Sequence, residues 1–140
     1  MRRLVLALLV AITACSAAAL SGCASSSGSA KLLEAHPWRV TKIGDAPYSG
    51  TAAITTRFSA GKLNGSTGVN AYSGTYEAAS GNNIAVALGP ITLMAGAPDA
   101  MKAEADFLKA LGSAASYAAD DESLTLFDAA GQSVLVYAAK

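Results

Sequence analysis

Only two cysteines and one histidine occur in the 140 residues, and both cysteines, Cys15 and Cys23, fall within the first 23. A thiolate metal site in the remainder is excluded, and His36 alone lacks the companions that a tetrahedral zinc ion needs. No Gly-x-Ser-x-Gly elbow is present, and a Ser-His-Asp triad would rest wholly on His36, which precedes Pro37. Charge is also scarce, with ten basic side chains against ten acidic ones, so the electrostatic grip that nucleic acid requires is missing. The run Gly65-Ser66-Thr67-Gly68 is followed by no Lys-Ser or Lys-Thr pair, so it reads as a turn and not as a phosphate cradle. Asp120-Asp121-Glu122 lacks the alternating spacing and the glycine of a calcium loop, and reads as a solvated hairpin tip. The expectation from these absences is a protein that is not an enzyme and that holds no metal or cofactor.

What is present begins at the N-terminus. Arg2 and Arg3 precede an apolar stretch from Leu4 to Leu20, the layout of a secretory signal. The stretch ends in Leu20-Ser21-Gly22-Cys23, which resembles the bacterial lipobox, in which the cysteine is lipidated and becomes the first residue. Residues 1–22 are therefore expected to be a signal peptide, with lipidation at Cys23 as the link to a membrane. A weaker match, Ile12-Thr13-Ala14-Cys15, would leave a signal core of only about eight residues. Cleavage before Cys23 removes two basic residues, leaving eight against ten acidic ones and a formal charge of −2. The next residues, Ala24-Ser25-Ser26-Ser27-Gly28-Ser29-Ala30, are small or polar, and residues 23–35 are expected to form the lipidated cysteine and a flexible tether.

From 36 to 140 the patterning predicts one domain. Trp38 and Val40 alternate with Arg39 and Thr41, and Ile54, Thr56 and Phe58 with Thr55 and Arg57. Ala60-Gly61 permits a tight reversal into Lys62-Leu63-Asn64. Tyr72 and Tyr76 share a strand face with Gly74 between them, and Ser80-Gly81-Asn82 turns the chain into Ile84, Val86 and Leu88. One helix is signalled, opening at Pro98-Asp99, carrying Met101, Ala105, Leu108 and Leu111 as a stripe, and stopping at Gly112. Strands around Tyr117, Leu124 with Leu126, and Val134 with Val136 complete the order. Many strands, one helix, then more strands exclude serial βαβ crossovers. The expectation is an α+β fold, a small, mostly antiparallel, curled sheet closed at one side or end by one main helix.

The stretch from Gly65 to Tyr76 resembles the signature of the META domain (HslJ-like) family, in which glycine, cysteine and asparagine precede an aromatic residue, a glycine and a tyrosine. Gly68, Asn70, Tyr72, Gly74 and Tyr76 match in register, with Val69 at the cysteine place. A second segment, Thr92-Leu93-Met94-Ala95-Gly96, resembles the family's threonine and methionine before another cysteine, with Gly96 at that place. The resemblance implies that the family's two cysteines form a disulfide and that both are replaced here. Such a bridge would close about 27 residues and contribute about 3 kcal/mol. Glu104, Phe107-Leu108, Leu111, Tyr117 and the last two strands follow the same layout, so the likeness runs from Trp38 to Tyr137.

The resemblance implies a cracked or half β-barrel found in bacterial envelope proteins linked to stress responses, with no known reaction. The functional expectation is a lipid-anchored protein facing the periplasm that supports envelope integrity or a stress response through an envelope protein partner. Ala24 is not the aspartate that retains such proteins in the inner membrane, so the outer membrane is favoured. Two other readings use the same residues. One is a lipocalin-like carrier holding a small apolar ligand between Trp38, Phe58 and the helix; the other, by analogy of fold, is a pilot-like chaperone of a membrane protein. Asn70 is expected to act structurally, pinning the turn before Tyr72.

Overall fold

Alternation of buried and exposed side chains governs the early strands. In β1 (Pro37–Ile43) Trp38 and Val40 point inward while Arg39 is exposed, and in β3 (Thr55–Ser59) Thr56 and Phe58 are buried while Arg57 and Ser59 are exposed. The computed structural model describes residues 26–140. Cys15, Cys23 and the leader lie outside the described residues.

After β1 comes the two-residue β2 (Ala46–Pro47), then β3, β4 (Lys62–Ser66), β5 (Ala71–Ala79) and β6 (Asn83–Ile91). The helix α2 (Pro98–Gly112) follows, and β7 (Ser116–Ala119), β8 (Ser123–Phe127) and β9 (Ser133–Ala139) end the chain. All pairings are antiparallel, and β9 returns to pair with β1, which curls β1 and β3 to β9 into a ring, with the short β2 paired to β1 alone. The ring is cracked, because β6 meets β7 only through Asn83 and Ser116. This is the α+β, curled-sheet architecture expected from the strand and helix order.

Turn chemistry sets the register. Ala60 and Gly61, with φ of 49° and 76°, form the two-residue reversal between β3 and β4. Gly74 lies where a side chain would strike the carbonyl of Ala87 on β6, and the β5–β6 register shifts just before it.

Three features differ from the sequence expectation. The segment expected to be a loose tether forms a helix, α1, from Ser26 to Ala35. Leu33 in it is fully buried, its carbonyl accepts a bond of 2.8 Å from Trp38 Nε1, and Glu34 Oε1 accepts from the Ala60 amide at 3.0 Å. Small polar residues suggested disorder, yet Leu33 and Glu34 beyond them supply the anchor, and Glu34 supports an alanine held in the left-handed region.

Second, α2 is rotated from the expected stripe. Glu104, Phe107 and Leu111 are buried, Met101 and Leu108 are half-buried, and Ala105 is exposed. A carboxylate on the inward face interrupted the apolar pattern and displaced the inferred stripe. Third, Leu135 and Tyr137 face the core from β9, and Val134 and Val136 are half-buried on its other side. Both faces of that strand are apolar, so its sequence period could not choose between them.

The interior is filled by its own side chains, with Trp38, Phe58, Phe107, Tyr72, Tyr76 and Tyr137 all buried. Phe58 meets Tyr76 edge to face at 5.1 Å, and Tyr72 meets Phe107 at 5.5 Å. Each such pair contributes about 0.5–1.5 kcal/mol beyond area burial. The Tyr72 hydroxyl donates to the Thr55 carbonyl at 3.0 Å and lies 2.6 Å from the Thr56 hydroxyl, which also donates to Tyr137 Oη at 3.3 Å.

Burial, reinforced by the hydrogen bond to Glu34, pushes the Tyr76 hydroxyl up to about 12. Burial likewise raises the hydroxyls of Tyr72, Tyr117 and Tyr137 above the ordinary tyrosine range. Native tyrosines thus hold their protons after unfolded ones have lost them. Their contribution is complete below the unfolded value of about 10 and is lost as pH rises through the native values. Urea midpoints measured in steps above pH 9 should fall progressively up to pH 12 and beyond, and Tyr76→Phe should fall less steeply. A midpoint independent of pH over that range contradicts this packing.

Candidate functional site

Gly68 and Asn70 lie at the end of the ring closed by α2. Gly68, at φ +89°, takes the left-handed position that the turn between β4 and β5 requires, which frees Asn70 from that task. Thr67 closes the turn. Its amide donates to the Asn70 carbonyl at 2.8 Å, and its hydroxyl accepts the Asn70 amide at 2.8 Å. The local pinning expected of Asn70 is therefore done by Thr67.

The Asn70 side chain reaches further. Its Oδ1 accepts the Met94 amide at 2.7 Å and the Thr92 hydroxyl at 2.9 Å. Its Nδ2 donates to both Glu104 carboxyl oxygens at 3.0 Å and to the Met94 carbonyl at 3.3 Å. All four hydrogen-bonding positions of the amide are used. The Thr67 hydroxyl also donates to Glu104 Oε2. Asn70, Thr67 and Glu104 are all buried, and among the described residues no cation pairs with Glu104. One amide thus ties together the β4–β5 turn, the loop after β6 and helix α2.

That loop, running from Thr92 to Ala97, carries an apolar tip. Leu93 is 97% exposed and Met94 63%, although the loop backbone is held on both sides of Leu93. Besides the contacts with Asn70, the Thr92 amide donates to the Ala71 carbonyl and the Thr92 hydroxyl accepts from the Ala71 amide, both at 3.0 Å. No charged residue lies between Glu77 and Asp99. Two large apolar side chains thus stand in solvent on a loop whose backbone is held in place.

The positions that correspond to the family's cysteines adjoin here. A side chain built on Gly96 would lie 2.9 Å from a methyl of Val69, so the valine fills the place of the missing bridge. Large opposite small keeps the two segments packed without a covalent link.

Beside the tip, a groove of about 1140 Å³ runs between α2 and the connection from β1 to β3. Ile43, Pro47, Tyr48, Ala100, Ala103 and Val134 are among its lining residues. Trp38 and Phe58, expected to border a ligand pocket, line neither this groove nor the smaller one over β4, β5 and β6, and both are fully buried in the core. Tyr72 and Tyr76 are core residues as well, and His36 packs its ring edge to face on Trp38 at 5.7 Å.

Of the motif, the structure gathers Gly68, Asn70 and the base of Tyr72 at this end, whereas Gly74 and Tyr76 serve the sheet farther along β5. Sequence reasoning missed Thr67, the inward role of Glu104, and the tip. Glu104 had a signal, standing three before Phe107 and seven before Leu111 on one helical face. The tip had one too, as Leu-Met bracketed by Gly89-Pro90 and Gly96-Ala97-Pro98.

Replacing Asn70 with alanine leaves the Glu104 carboxyl one donor short and the Met94 backbone unpaired. Asn70→Ala should cost about 2–4 kcal/mol in denaturant unfolding. A loss below about 1 kcal/mol would show that the network carries little of the stability at this end.

A sequence model of the META domain family matches residues 18–140. No curated protein is significantly similar to the chain. Among solved structures, a DUF4847 family protein from Bacteroides vulgatus is similar in fold, with TM-score 0.60 and 15% identity over 77% of this chain and 94% of that one. A protein from Burkholderia xenovorans, determined by NMR, superposes with TM-score 0.64 and 22% identity over 81% and 87% of the two chains. These likenesses concern the fold, while the family match extends over most of the sequence and agrees with the motif from Gly68 to Tyr76. This chain belongs to the META domain family.

Proposed function

We propose that this protein is exported, held to a membrane by lipid on Cys23, and active without catalysis, through protein contacts that sustain envelope integrity or a stress response. The observation that carries the contact reading is the Leu93–Met94 tip, two large apolar side chains kept in solvent by a buried network. Its position supports the same reading. α1 packs at the end of the ring formed by the Ala60–Gly61 and Ser80–Asn82 turns, whereas the tip lies beyond the far end of β6. A nine-residue strand spans roughly 30 Å, so a domain tethered through its N-terminus presents the tip away from the anchoring bilayer.

The lipobox-like Leu20-Ser21-Gly22-Cys23 supports the anchor, and Ala24 favours the outer membrane in a cell that has two. A filled interior argues against a ligand carried between Trp38 and Phe58.

Fractionation with intact-mass measurement tests the proposal. The wild-type chain should be recovered with membranes, beginning at an acylated Cys23, and Cys23→Ala should lose acylation. Leu93→Asp should stay at the membrane with stability unchanged within about 0.5 kcal/mol, while losing the proteins that co-purify with the wild type. Recovery from the cytosol with the leader attached and no lipid would overturn the anchor, and unchanged co-purification would overturn the contact.

A further inference from the structure

The segment from Thr92 to Ala97 joins β6 to α2 without a turn or a bend, and none of its residues has a positive φ, so it runs as extended chain. Hydrogen bonds fall unevenly along it. Thr92 is held through its amide and hydroxyl by Ala71 and Asn70, and Met94 through its amide and carbonyl by Asn70. Leu93 between them is 97% exposed, and among the described residues neither its amide nor its carbonyl has a hydrogen-bond partner. One apolar side chain and its own backbone groups are thus free while both neighbours are fixed. A serine protease grips that arrangement: it lays its substrate out as an extended strand, seats the side chain before the scissile bond in a specificity pocket, and draws that residue's carbonyl into the oxyanion hole. We infer that Leu93–Met94 is the reactive bond of a serine protease inhibitor, directed at enzymes of chymotrypsin or subtilisin type whose pocket takes a leucine-sized side chain. The inference rests on the reading of the tip as a protein contact and names the chemistry of the partner.

The brace decides between inhibition and digestion. In the forward step the enzyme's serine Oγ adds to the Leu93 carbonyl carbon, the bond from that carbon to the Met94 nitrogen breaks, and the nitrogen takes the serine proton by way of the catalytic histidine. From a flexible substrate the new amine diffuses away, and water completes the hydrolysis. Here Asn70 Oδ1 holds that nitrogen at 2.7 Å and Asn70 Nδ2 holds the Met94 carbonyl at 3.3 Å, while Asn70 itself is buried and bonded to Glu104. The amine therefore stays beside the acyl carbon at the high effective molarity of a positioned group. It re-forms the peptide bond and returns the proton to serine before water replaces it. Thr92 fixes the acyl half in the same way, and Gly96 packed against Val69 fixes the chain downstream. A loop already ordered loses little entropy when bound. Its freedom from charge between Glu77 and Asp99 means that no ion of the loop is stripped of water in an apolar pocket.

The test titrates the purified full chain against subtilisin, chymotrypsin and trypsin, each assayed on a chromogenic peptide. Subtilisin or chymotrypsin should be inhibited with a Kd at or below about 10⁻⁷ M, and trypsin should not be. Leu93→Arg should move the inhibition to trypsin, a change of about a hundredfold or more in each direction. Asn70 acts as a positioning residue, so Asn70→Ala should turn the inhibitor into a substrate, cut between Leu93 and Met94 as read by intact mass. If Asn70→Ala melts early, Thr92→Ala serves as the milder variant with the same expected direction. Failure of the folded wild type to inhibit any of the three enzymes overturns the inference, as does its rapid cleavage at Leu93–Met94 without inhibition. Inhibition of subtilisin or chymotrypsin that Leu93→Arg leaves unchanged overturns the assignment of the bond. The co-purification of Leu93→Asp separates this inference from the reading beneath it: partners lost there while no protease is inhibited remove the inhibitor and leave the contact.

Discussion

The side-chain amide of Asn70 is the joint on which one end of this domain turns. It accepts from Met94 and Thr92, donates to Glu104 and to the Met94 carbonyl, and stands in a turn that Thr67 has already closed. Because the site is buried, each of these bonds replaces one that water can no longer supply, so loss of any partner strands the others. The position of α2, the course of the loop after β6 and the outward display of Leu93 all follow from that one group.

Seen this way, the ring of strands is closed by different means at its two ends. At one, Leu33 and Glu34 of α1 are fastened to Trp38, Ala60 and Tyr76. At the other, α2 contributes Phe107 and Leu111 to the core and Glu104 to the polar joint. Between them the aromatic residues occupy the interior, which leaves the groove and the tip outside the ring. The valine methyls against Gly96 show how the loop stays in place without a covalent bridge. Packing and hydrogen bonding do there what the resemblance to the family assigns to a disulfide.

Much of this architecture was legible because the early strands obey a strict two-residue period and the turns use residues that suit them. Trp38 with Val40, Ile54 with Phe58, and Ala60-Gly61 were all readable for that reason. Elements were misread where the pattern carried a second message. Glu104 broke the apolar stripe of α2 because it serves the joint, and β9 is apolar on both faces. α1 was hidden by a serine-rich start that resembles a linker. The motif residues from Gly68 to Tyr76 were recognisable, but their division of labour was not. Sequence spacing cannot show that Asn70 reaches 24 residues ahead to Met94 and 34 to Glu104.

Amide hydrogen exchange at Met94 measures the joint most directly. Its side chain is largely in solvent, yet its N–H is bonded to buried Asn70 Oδ1 at 2.7 Å. The account predicts protection approaching that of the core strands, with opening only when this end of the domain unfolds. Exchange at the rate of an unstructured loop would contradict it.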